Sequence, residues 1–571
     1  MTLAPAAPAA ASDAEFRRAF GEQFFDRYWE LSPSAAVASG YYKYADRLIV
    51  PDQKARDTAL AQIDRWLAEL ARIDPASLSS GVRADWAMLD NQLRGERWSL
   101  TELNSWQWDP STYNVADPFA LLLTLDYAPL DERLRAFLTR LANVPAYYAA
   151  AKANVATPTR EHTQLAIEQN RGALGVFGAD LERAIEASGL TRAERATFTE
   201  RLTAARAGIE DYVDWLETLD ARLASGAVAA RSFRLGPELY AQRFAFDIQS
   251  GDSAEALYER AVAEQRRLLT RMSLLAELLW PKYFPNAPVP DDELAKIGQV
   301  IARLSEQHVP RERLVAAVRE QLPELERWVR EHDLLELDAT KPLLVRETPP
   351  HKRGIAGASI DAPGPYDPDA PTYYNVTPLD DLSAERAESW LREYNQWMLP
   401  VLNIHEAIPG HYAQLVYANR SPSLVKSIFG NGAMIEGWAV YAERLMLESG
   451  YGEDKAEAWL IYSKWNLRSV TNTILDYGVH VLGMSEAEAM DLLTRQAFQT
   501  QQEASEKWRR VTLTSVQLTS YFAGYSAIVE LREQLKREQA GAFDLKRFHE
   551  QFLSYGSAPV RVIRELMLQT R

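Results

Sequence analysis

Two of the chain's eight histidines fall in one seven-residue window, His405-Glu406-Ala407-Ile408-Pro409-Gly410-His411, with Tyr412 after it. Two imidazoles with a Glu beside the first form the donor set of many zinc hydrolases, in which the His residues bind Zn²⁺ and the Glu acts as general base on water. The spacing does not suit a regular helix. At about 100° per residue, a step of four returns a side chain to within about 40°, whereas the six-residue step from His405 to His411 leaves about 120°. Pro409 lacks the N–H of a continuing helix and pushes Ile408 out of helical angles, while Gly410 accepts almost any backbone conformation. The expectation is a helix that bulges at Pro409-Gly410, so that both imidazoles converge on one ion. The alternative is a Pro-Gly kink between two surface histidines.

A zinc site of this kind needs a third protein ligand, leaving the fourth position for water. Glu436 and Glu443 lie in the otherwise apolar segment Gly432-Ala433-Met434-Ile435-Glu436-Gly437-Trp438-Ala439-Val440-Tyr441-Ala442-Glu443. Seven residues apart, they share a helix face, and an acid on an apolar face is costly unless paired or metal-bound. Glu436 is taken as the ligand and Glu443 as a hydrogen-bond acceptor for an imidazole N–H. The alternatives are the two roles exchanged, or both carboxylates paired with basic side chains. With no cysteine in 571 residues, thiolate chemistry and Cys-ligated metal are excluded.

The elements that position these groups are mostly helical. The chain is 47% hydrophobic and 25% charged, which suits a folded globular protein. Leu202, Ile209, Tyr212, Leu216 and Leu219 repeat with helical spacing, as do similar patterns from 55 to 340. From Pro342 to Pro378, eight prolines and three glycines in 37 residues exclude a continuous helix. Leu343–Arg346 and Thr372–Val376 carry strand-forming residues within it. The expected organisation is a tail over 1–12, a helical region over 13–341, loop and short strands over 342–382, and a helical region holding the chemistry over 383–571, the last three as one structural domain or more. Ser12 and Glu15 read as the capping box of the first helix.

The net charge of −16 disfavours nucleic acid as a partner, and no apolar run is long enough to span a membrane. Ala9-Ala10-Ala11 before Ser12 is similar to the end of a secretory signal, which favours a periplasmic or secreted protein over a cytoplasmic one. Oligomeric state is left open, with a homodimer as one option.

His-Glu-x-x-Pro-Gly-His-Tyr followed by Glu-Gly-Trp-Ala-x-Tyr-x-Glu resembles the bacterial domain-of-unknown-function 885 (DUF885) family. Asp476-Tyr477-Gly478-Val479-His480 and Gln517-Leu518-Thr519-Ser520-Tyr521-Phe522-Ala523-Gly524 extend the resemblance, except that Phe522 stands where Lys is usual. It is specific over about 370–565 and diffuse before. It implies a mainly α, bilobed, zinc-peptidase-like fold with a small β-sheet near 342–378 beside a deep central channel. It also implies one Zn²⁺ held by His405, His411 and Glu436, with Glu406 as base. Tyr521, Tyr525 and His480 are then candidates to steady the oxyanion, and Tyr374 and Asn375, on a short edge strand, to hold the substrate backbone. Arg468, Arg532 and Arg561 are candidate anchors for a substrate carboxylate. The expected activity is hydrolysis of short peptides, as an oligopeptidase or a carboxypeptidase-like enzyme. A zinc hydrolase of other amides or esters, and a non-catalytic helical scaffold, are the alternatives.

Overall fold

The computed structural model describes residues 7–348 and 357–569. They form a mainly helical protein with one three-stranded sheet. Its two compact units divide at Phe233/Arg234, with Gly364–Asp367 joining the first unit, so the helices between 234 and 341 belong with the 383–571 region. Among the described residues, no helix is long and apolar enough to cross a membrane.

In the first unit, the helix Arg192–Ala224 begins at a capping box: Thr191 accepts from the Glu194 N–H, and Glu194 accepts from the Thr191 N–H. At 33 residues it is about 50 Å long, and it buries the stripe Leu202, Ile209, Tyr212, Leu216 and Leu219. Leu202, Ile209, Tyr212 and Leu216 share one core with Phe119, Phe137, Phe177 and Phe198; the first three rings meet in edge or tilted contact and Phe198 stacks on Phe137. The first described helix, Ala7–Ala19, starts ahead of Ser12. Ser12 and Glu15 therefore lie inside it and form no capping box, because the alanine run before them is itself a strong helix former. Residues 1–6 of the expected tail lie outside the described ones.

The second unit holds the sheet and the chemistry-bearing segments. Strand β1 (Leu343–Glu347) pairs in parallel with β3 (Thr372–Val376), and β2 (Ala358–Asp361) pairs with β3 antiparallel. The two strands read from sequence are present, but the sequence of β2 gave no comparable signal. With the order β1-β3-β2, β3 is central and its backbone groups are spent on both neighbours.

Two glycines set the closest helix crossing in this unit. The helices Gly432–Glu448 and Ser520–Gln539 touch at Gly437 and Gly524. A Cβ on Gly437 would lie 2.4 Å from Gly524 Cα, and one on Gly524 would lie 1.6 Å from the Ala433 carbonyl oxygen. No other residue fits at that separation. Asn431 fixes the start of the first of these helices: its side chain accepts from the Met434 N–H at 2.9 Å, and its own N–H donates to Ser557 O at 2.8 Å.

Candidate metal centre

The first His belongs to the helix Met398–Glu406, and the second opens the helix His411–Ala418. The expected bulge is instead a complete break between two helices. The Ile408 N–H bonds Asn403 O at 3.2 Å and the Gly410 N–H bonds Ile404 O at 2.9 Å, which folds the connection back on the first helix. A Cβ at Gly410 would stand 1.9 Å from the His405 carbonyl oxygen, so glycine is required there. The Trp438 indole donates to Pro409 O at 2.9 Å and ties the break to the helix that carries Glu436.

As expected from the sequence, the two imidazoles meet. Their ring centroids are 4.8 Å apart and nearly perpendicular. His405 Nε2 lies 3.8 Å and His411 Nε2 3.5 Å from Glu436 Oε2, and the three ligand atoms lie within 4.8 Å of one another. Donors about 2.0–2.1 Å from a tetrahedral Zn²⁺ stand roughly 3.3–3.4 Å apart, so the donor types and the two contacts to Glu436 fit such an ion, while the widest separation, up to 4.8 Å, has to close by about 1.4 Å. Glu443, fully buried, accepts from His405 Nδ1 at 2.6 Å and from the Trp465 indole at 3.0 Å, which turns Nε2 toward the cluster. Glu436 therefore lies with the two imidazoles, and Glu443 lies behind His405. Asn403, one turn before Glu406, is held by the Tyr374 hydroxyl at 2.8 Å and itself donates to Gln321 at 2.5 Å.

The electrostatics follow from burial. Desolvation, and then the neighbouring His411, pushes the His405 imidazole down to about 4, leaving it in the neutral form a metal ligand takes. Burial raises the Glu406 carboxyl, and raises that of Glu443 well above the usual range. For Glu436 burial works upward, but the hydrogen bond and charge of His411 prevail and hold its carboxyl below the ordinary value. Burial likewise opposes protonation of His411, yet Glu436 raises it. A divalent cation would take over the positive charge that His411 supplies to Glu436.

Tyr521 stands within electrostatic range of Glu436: burial first, then that carboxylate, raises its phenol, and its hydroxyl is 3.5 Å from Arg510. The other sequence candidates are engaged elsewhere. His480 is buried, with Nε2 2.9 Å from the carbonyls of both Val511 and Thr514, and belongs to the core rather than to the cluster. Tyr374 is fully buried with its hydroxyl on Asn403, and Asn375 is fully buried with Arg346 donating to it at 2.7 Å. Because they sit on the central strand, neither the side chains nor the backbone at these positions is offered to a substrate; the edge strands are β1 and β2. Tyr525 is buried and accepts from Arg444 at 2.9 Å. Arg532, also buried, donates to Glu448 at 2.8 Å and Glu533 at 3.0 Å, so its charge is spent within the core. Arg468 is paired with Glu503 at 2.8 Å. Trp465, Lys507 and Arg510 were missed from sequence. Only the helical spacing of the last two with Glu503 could have linked them to one face.

The family described as "Bacterial protein of unknown function (DUF885)" matches residues 33–567, and the chain belongs to it. A solved structure from Shewanella oneidensis, a proposed lipoprotein of unknown function, is 51% identical with a TM-score of 0.87, covering 99% of this chain and 100% of that one. A second, a proposed lipoprotein from Colwellia psychrerythraea, is 16% identical with a TM-score of 0.78 over 99% and 100% of the two chains, and shares the fold. No curated protein matches.

Proposed function

We propose that this protein is a zinc-dependent metallopeptidase acting on short peptides. One observation carries the reading: His405, His411 and Glu436, from three helices, place their ligand atoms within 4.8 Å of one another, with Glu406 adjacent in sequence. Bound there, Zn²⁺ would supply Lewis acidity, making water more acidic and polarising a peptide carbonyl. Glu406 takes a proton from the attacking water as the new C–O bond forms, and returns it to the amine as the C–N bond breaks. Its raised carboxyl suits it to hold that proton between the two events. Tyr521 donates to the carbonyl oxygen as negative charge builds there. Ligands that are buried or nearly so favour short, unfolded chains over folded substrates. Export to the cell envelope belongs to the same reading, supported by the lipoprotein descriptions of the two solved relatives.

The test is hydrolysis of a mixed peptide library by the zinc-loaded protein and by Glu406→Gln. The variant is expected to keep zinc and lose turnover by about 10²–10⁴-fold. Near-native hydrolysis by the variant would remove Glu406 as the base. Cleavage of small amides or esters with no peptide trimmed would favour a hydrolase of non-peptide substrates, and no turnover of any kind a scaffold.

A further inference from the structure

Beside the candidate metal centre lies a buried group of charges in which the cations outnumber the anions. Lys464 donates to Glu393 at 2.5 Å, and Arg468 to Glu503 at 2.8 Å, so each of the two carboxylates already has its cation. The third cation, Lys507, is only 5% exposed and makes no hydrogen bond or ion pair among the described residues. Glu503 lies within its electrostatic range but forms no ion pair with it. Burial holds Lys507 well below the ordinary lysine value, which favours its uncharged amine unless an anion beside it supplies the countercharge.

The next turn of the same helix, Gln501–Leu513, carries Arg510. Glu503, Lys507 and Arg510 are spaced i, i+4, i+7 and share one face. Arg510 is exposed, and its guanidinium meets only neutral groups, Gln517 Oε1 at 2.6 Å and the Tyr521 hydroxyl at 3.5 Å. Arg510 lies within electrostatic range of Glu436, so this end of the helix face stands near the candidate metal centre. Lys507 is thus a nearly buried basic side chain without an ion pair among the described residues, and Arg510, on the same helix face, is open to solvent and within electrostatic range of Glu436.

We propose that Lys507 and Arg510 form a subsite for the C-terminal carboxylate of the substrate, so that the enzyme removes residues from the carboxyl end of short peptides. A guanidinium and an ammonium on one face offer charge-assisted hydrogen bonds to a carboxylate. An amide at the same place would offer Lys507 no anion beyond Glu503, which is already paired with Arg468. The inference rests on the metallopeptidase reading for its chemistry but not for its anion site.

The experiment uses one set of short N-acetylated peptides of mixed sequence, prepared as free acids and as C-terminal amides. Binding to zinc-loaded Glu406→Gln is measured by calorimetry, and cleavage by the otherwise native enzyme, with and without Lys507→Met or Arg510→Gln. The expected result is an acid-over-amide preference of about ten- to a hundredfold, reduced by each variant, with amide binding little changed. Arg510 is exposed, so its variant reports even where Lys507→Met fails to fold. Cleavage of acids and amides alike by the native enzyme overturns the subsite and leaves the peptidase reading intact. So does a preference that survives in both variants, in which case Lys507 serves only to balance Glu503. Preferential binding of acids, lost in the variants, with no peptide cleaved supports the subsite and sinks the peptidase reading. No binding and no cleavage of either set overturns both.

Discussion

Replacing Glu443 by Gln tests how the proposed metal centre is organised without touching a proposed ligand. Glu443 Oε1 accepts from His405 Nδ1 at 2.6 Å and from Trp465 at 3.0 Å, while its Oε2 is buried without a hydrogen-bond partner. Gln keeps the length and one acceptor oxygen, but its NH₂ takes the place of Oε2, where no acceptor waits. Carboxylates that orient a metal-bound imidazole are worth about ten- to a hundredfold in affinity, or about 1.4–2.7 kcal/mol. The unsatisfied amide adds a folding cost of about 1–3 kcal/mol that is independent of metal. Zinc affinity measured by competition with a chelator is expected to fall by that factor, and the melting temperature of the metal-free protein to drop as well. His411 offers an internal contrast, because its Nδ1 has no such partner. A zinc affinity for Glu443→Gln within about twofold of native would refute the positioning role and with it the assignment of the two glutamates.

Two further outcomes are expected. Gly437→Ala would set a Cβ 2.3–2.6 Å from the backbone of Gly524 and Tyr525, forcing two helices apart at a cost of about 1–3 kcal/mol or more, visible as a lower denaturation midpoint; an unchanged midpoint would show that the crossing is not tight. His549, buried with Nδ1 on Leu334 O and Nε2 on the Tyr441 hydroxyl, is pushed down to about 4 by burial. As the folded state is harder to protonate than the unfolded one, its contribution is complete above about 6.5 and is lost as pH falls to about 4, by about 3 kcal/mol. His549→Gln should flatten the loss of stability across that window, and an unchanged slope would assign it to other groups.

What the sequence reveals of this site is the convergence of its ligands, because a Pro-Gly pair between two histidines and two glutamates a heptad apart constrain geometry locally. Periodicity also indicated the helical texture, and strand-forming residues bounded by prolines indicated two of the three strands. It did not reveal that the ligand helix breaks entirely, since whether Ile404 O and Asn403 O are capped by Gly410 and Ile408 depends on how closely the chain folds back. Nor could it place Tyr374: an aromatic in a short strand reads the same on a central strand as on an edge, and only the pairing with β1 and β2 decides. Arg532 and Lys507 are alike as sequence. The first is held by Glu448 and Glu533 and the second by no carboxylate, a distinction made by residues distant along the chain.

The central claim is that His405, His411 and Glu436 hold one metal ion. Elemental analysis of the purified protein, beside His405→Ala prepared in the same way, tests it most directly. The account predicts close to one zinc per chain in the native protein and its loss in the variant. A native protein that takes up no metal even after reconstitution with zinc would contradict it.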